Sequence, residues 1–77
     1  MLAHRLTSYF VKRLRQLREQ RGYSLRKLAE VSRVHFVSLA RLEAGELDPR
    51  LSTVRKLAKA LGVTVAELIG EAKKGGR

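Results

Sequence analysis

The chain has 77 residues, room for a single domain that buries only about 60–65% of the surface its unfolded form exposes. It contains no cysteine, which excludes a disulfide frame and a thiolate zinc site, and no apolar run approaches the ~18 residues that span a membrane. Seventeen Lys and Arg against seven acids give a net charge of +10, a footprint of polyanion partners, because cations laid on phosphates release condensed counterions.

Residues 1–9 read as an extension leading into the first helix. They lack the continuous apolar core and small-residue cleavage site of a signal peptide, and a cytoplasmic location is expected. Leu6, Phe10, Leu14 and Leu17 recur every three or four positions, which predicts a helix over about 7–21. Gly22 ends it. Ser24 is placed to cap a second helix, LRKLAEVS, over 25–32. Arg33 and Val34 form a tight connection, and a third helix over 36–44 stops at Gly45. ELDPR, 46–50, reads as a loop. A fourth helix, 52–61, carries Val54, Leu57, Ala58 and Leu61 on one face and closes at Gly62. Thr64 and Glu67 have capping-box spacing, so a fifth helix begins near 65. Residues 70–77 read as a basic flexible tail. No strand-like alternation and no internal repeat is present. The expected fold is all-α, a compact five-helix domain over 10–69.

The basic excess is uneven. Residues 1–34 hold nine bases and two acids; residues 35–77 hold eight and five. Two short helices joined by so few residues must cross at a large angle, which is the helix-turn-helix unit. That geometry requires Leu28 buried, Ala29 small where the next helix passes, and Val34, Leu39 and Leu42 facing the core. At 100° per residue, with Leu39 at about 0°, Leu42 and Glu43 fall within about 60° of it. Val37, Arg41 and Ala44 point away, and Phe36 lies on the flank.

The chain resembles the Cro/repressor, or xenobiotic-response-element (XRE), type of helix-turn-helix domain over residues 10–68. The matching residues are F-x-x-x-L-R-x-L-R at 10–18, LAE at 28–30 and V-x-x-x-x-L-x-R-L-E-x-G at 34–45. L-x-x-x-x-K-L-A-K-A-L-G-V at 51–63 and E-L at 67–68 complete the series. The resemblance implies that helix three lies in the DNA major groove and helix two crosses the backbone. It also implies homodimers on paired half-sites about one DNA turn apart. The sequence departs from the family where glycine is usual in the turn, which is Arg33 here. It departs also at Arg26, where glutamine is common, and at His35, where serine is common and which caps less well.

On that reading, Val37 and Arg41 meet base edges. Arg41 suits guanine O6 and N7, and Val37 suits a thymine methyl. Phe36 either folds over the junction of helices two and three or touches thymine methyls. Arg26, Lys27, Arg33 and Arg50 are phosphate candidates. His35 and Ser38 serve phosphates or else cap and solvate. Arg18 and Glu43 occupy positions that commonly pair in the family, a structural ion pair. Lys12, Arg13 and Arg15 supply long-range field, whereas Glu43, Glu46 and Asp48 form an acidic cluster after helix three that opposes tight DNA binding. The apolar residues of helix five with Leu6 and Tyr9 form a dimer patch or close the core. No cofactor, metal or catalytic constellation is expected: His4 and His35 lie too far apart in sequence for a local metal pair, and no serine has a plausible base. Double-stranded DNA is the expected partner, with transcription regulation the expected role and no membrane. The alternatives are an antitoxin-like or coactivator-like module that grips a toxin or the transcription machinery, and a sequence-neutral DNA binder.

Overall fold

Phe10, Leu14 and Leu17 are all buried, as their spacing on one helical face requires. They belong to α1, Leu2–Gln20, in a computed structural model that describes residues 2–70, with side chains from residue 9 onward. The expected tail beyond Gly70 and the side chain of Leu6 therefore lie outside the described residues. α1 begins at Leu2 and not at residue 7, so the expected extension is helical. Residues 2–6, LAHRL, are rich in good helix formers and hold neither glycine nor proline; a helix start is not bound to the first apolar repeat.

Four further helices follow among the described residues: α2 Leu25–Ser32, α3 Phe36–Glu43, α4 Leu51–Leu61 and α5 Val65–Ile69. Each boundary has a local cause. The Ser24 hydroxyl accepts the Lys27 N–H at 3.0 Å, capping α2. Thr64 Oγ1 accepts the Glu67 N–H at 3.0 Å while Glu67 Oε1 accepts the Thr64 N–H at 2.9 Å, a complete capping box at α5. α3 ends one residue earlier than expected, with Ala44 as its cap, and α4 starts one residue earlier. Gly62 closes α4 with φ 73°. A side chain there would also meet the Arg21 guanidinium, which crosses from the end of α1 to donate to the Leu61 carbonyl at 2.7 Å.

The core is a single cluster to which every helix contributes. Leu14, Leu28, Leu39, Leu57, Leu61 and Leu68 are fully buried, and Phe10 is nearly so. α1 packs against α3 and α5, α2 against α3 and α4, and α4 against α5. The effect is to hold α2 and α3 from behind and leave their other faces open.

Candidate nucleic-acid interface

The connection between α2 and α3 is three residues long, and its conformation sets how α3 is presented. Arg33 is left-handed, φ 64° and ψ 27°, the one non-glycine residue with positive φ among the described residues. Its N–H returns to the Ala29 carbonyl at 2.9 Å. The turn thus keeps the geometry that glycine would favour, despite the steric cost of a side chain there. Ser32 helps to hold it: this buried hydroxyl accepts the Val34 N–H at 3.2 Å, which ties the chain as it leaves α2. Val34 then turns into the core. His35 caps α3, its Nδ1 accepting the Val37 N–H at 3.3 Å, a long bond in keeping with a weak cap.

α3 is eight residues long, about 12 Å, and divides cleanly by burial. Leu39 is fully buried, Leu42 is 2% and Glu43 6% exposed. Val37 is 51% exposed, and Arg41 and Ala44 are exposed. Ser38 and Ala40 lie half-buried on the flanks. Val37 and Arg41 stand four residues apart, one turn along the same open face.

Phe36, the first residue of α3, is half-buried. It joins neither the core cluster nor the residues packed around it. The Arg26 guanidinium lies over its ring, 4.5 Å from the centroid. Lys27 is exposed beside it, with Nζ 3.7 Å from Glu30 Oε1. Arg50 stands at the far edge as the N-terminal cap residue of α4, with no side-chain capping bond. It borders an open groove of about 410 Å³ shared with Ser38, Asp48 and Thr53. Arg26, Phe36, Val37 and Arg41 thus occupy the α2–α3 surface, whereas Arg50 stands on the α4 side.

Behind α3 lies an ionic tie. Arg18 Nε donates to Glu43 Oε2 at 2.6 Å and Nη2 to Oε1 at 3.1 Å, while Nη1 donates to the Tyr23 carbonyl at 2.8 Å. The bidentate bond to Glu43 raises the Arg18 pKa, partly offset by burial. Arg15 adds a bond from Nη2 to the Glu43 carbonyl at 3.1 Å and sits 3.7 Å from its carboxylate. It thereby holds the C-terminal end of α3, a direct role that charge counting alone does not reveal. Its place three residues before Arg18 on α1 was the available signal. Glu43 faces inward, so of the three acids after α3 only Glu46 and Asp48 remain on the surface.

Helix five offers little free apolar surface. Leu68 is fully buried, and Val65 and Ile69 pack against the core. Tyr9 is half-buried, its ring lying where a side chain on Gly70 would extend. Leu68, Val65 and Ile69 thus contribute to the core. Among the described residues, the exposed large apolar ones are Val31, Val37, Leu47 and Leu51. No described helix is long and apolar enough to cross a membrane.

A family model described as helix-turn-helix matches residues 14–68. The chain is 35% identical over 63 residues to the HTH-type transcriptional regulator PuuR of Escherichia coli, covering 82% of this chain and 34% of that protein. It is 39% identical over 57 residues to the HTH-type transcriptional regulator DdrOP3 of Deinococcus deserti, covering 74% of this chain and 44% of the relative. The HTH-type transcriptional regulator SutR of Escherichia coli is 41% identical over 56 residues, 73% of this chain and 32% of its own. The chain thus spans a third to under a half of these relatives' length. Its fold matches the crystal structure of the clp gene regulator ClgR from Corynebacterium glutamicum, with a TM-score of 0.78 and 34% identity over 91% of this chain and 74% of that one. The five helices, the three-residue turn and these matches together establish that the chain belongs to the XRE-type helix-turn-helix family.

Proposed function

We propose that the chain is a sequence-specific double-stranded DNA-binding domain of a transcriptional regulator, with α3 in the major groove. The observation that carries this reading is the outward face of α3. Val37 and Arg41 stand exposed on one helical face, on an element locked from behind by Leu39, Leu42 and the Arg18–Glu43 pair. Arg41 donates to guanine O6 and N7, and Val37 packs on a thymine methyl. Arg26, Lys27, Arg33 and Arg50, with His35 and Ser38, position the domain on phosphates and carry no sequence information themselves.

The functional unit is residues 10–69, and the working location is the cytoplasm, where the DNA is. No cofactor and no catalytic step is assigned. A homodimer on two half-sites is the working assembly, though the buried state of Leu68 leaves helix five little to offer such an interface. The exposure of Val37 and Leu51, 51% and 65%, favours one second reading: a module of the same fold that grips a protein, such as a toxin or the transcription machinery.

Selection of bound duplexes from a random pool at a stated salt concentration separates these readings. Enrichment of a defined motif, palindromic for a dimer, is the expected result. Retention without enrichment identifies a sequence-neutral binder. Loss of all duplex retention, with function insensitive to Arg26→Ala and to salt, identifies the protein-gripping module.

A further inference from the structure

We propose that Phe36 is a positioning residue for the DNA contact: its ring holds the Arg26 guanidinium in place at the front of α3 and does not itself read a base. The inference rests on the DNA reading above and deepens it. Arg26 is the second residue of α2 and Phe36 the first of α3. The three-residue turn brings the guanidinium carbon to 4.5 Å from the ring centroid. At that distance the cation is attracted by the negative face of the ring. Phe36 is half-buried yet outside the core cluster, and the contact with Arg26 lies on its ring face. On α2, Glu30 lies 3.7 Å from Lys27 Nζ, whereas the contact of the Arg26 guanidinium is with the Phe36 ring.

The guanidinium carbon lies over the ring face. A guanidinium has five N–H donors in a rigid fork, so contact with one ring leaves donors to meet phosphate oxygens. An arginine loses rotamer freedom when it binds, and one already held loses less. The ring face that Arg26 covers is closed to a thymine methyl.

The test is a double-mutant cycle on the full chain, read by duplex affinity across several salt concentrations and by proton chemical shifts of the free protein. Thermal unfolding of every variant checks the fold. Ring-current shifts of the Arg26 side-chain protons are expected in the wild type and absent in Phe36→Leu. Phe36→Leu should weaken every duplex alike by about two- to five-fold, the size of an exposed cation–π contact. Phe36→Tyr, which keeps a π face, should restore affinity and shifts, and serves where the leucine variant does not fold. In an Arg26→Ala background, Phe36→Leu should add nothing. Two results overturn the positioning role while leaving DNA binding intact: additive losses, or a Phe36→Leu loss confined to one base pair and abolished by replacing its thymine with deoxyuridine. Absence of salt-dependent duplex binding by the wild type overturns the DNA reading, and this proposal with it.

Discussion

Glu43 is 6% exposed and carries two guanidiniums, Arg18 at 2.6 Å and Arg15 at 3.7 Å. Such a pair contributes less by its attraction than it would cost to break, because a lone charge would be left without water. Glu43→Gln should therefore destabilise the domain by about 3 kcal/mol in urea titrations, although Glu43 touches no ligand. Replacing both partners with apolar residues, Arg18→Met with Glu43→Leu, should recover much of that loss. The raised pKa of Arg18 fixes the sign of its pH dependence. Its stabilisation is present in full below the ordinary arginine pKa and is lost only as pH rises past the raised one. The stability difference between wild type and Arg18→Ala should thus stay flat from about pH 7 to about pH 10, as urea midpoints would report. Arg18 and Glu43 could be singled out from the sequence because the family pattern holds both positions. Arg15 could not be assigned from its charge, since a guanidinium on α1 looks the same whether it faces solvent or a carbonyl.

Among the elements, the α2–α3 turn is where stability and function oppose one another. Arg33 holds a left-handed conformation that a side chain disfavours. Arg33→Gly should raise stability by about 1 kcal/mol, as the shift in the urea midpoint would show. The same change removes a cation proposed to meet a phosphate, so duplex affinity should fall and the salt slope should shrink by about one. Unchanged affinity and salt slope would show that Arg33 makes no contact. At the other end of the chain, Thr64→Ala removes the hydroxyl that accepts the Glu67 N–H in the α5 capping box, leaves the backbone bond to Glu67 Oε1, and should cost about 1 kcal/mol. The helices themselves were readable because apolar periodicity, Ser24, Gly22, Gly62 and the Thr64–Glu67 spacing all act locally. The early start of α1 was not, since residues 2–6 announce no cap. The stacking of Arg26 on Phe36 was also hidden. It depends on the angle at which two helices cross, which residues ten apart in sequence do not specify.

For the whole molecule, the net charge of +10 sets long-range attraction, and the buried state of Glu43 removes one acid from the surface near the interface. Four cations, Arg26, Lys27, Arg33 and Arg50, are assigned to phosphates. If all four engage, the logarithm of affinity should fall with the logarithm of salt at a slope of about −3.6 per bound copy. A slope near zero would contradict the phosphate assignment. The outward face of α3 was legible from simple rotation because helical geometry is rigid; what it touches was not, because exposure does not name a partner.

The central claim is that Arg41 reads a base from the open face of α3. Its most direct test is the affinity of wild type and Arg41→Ala for the selected duplex and for each single base-pair variant of it, at one salt concentration. Arg41→Ala should lose about 1–3 kcal/mol of discrimination at one guanine-containing pair and keep it elsewhere. An equal loss of affinity for every duplex would contradict it and make Arg41 a phosphate contact.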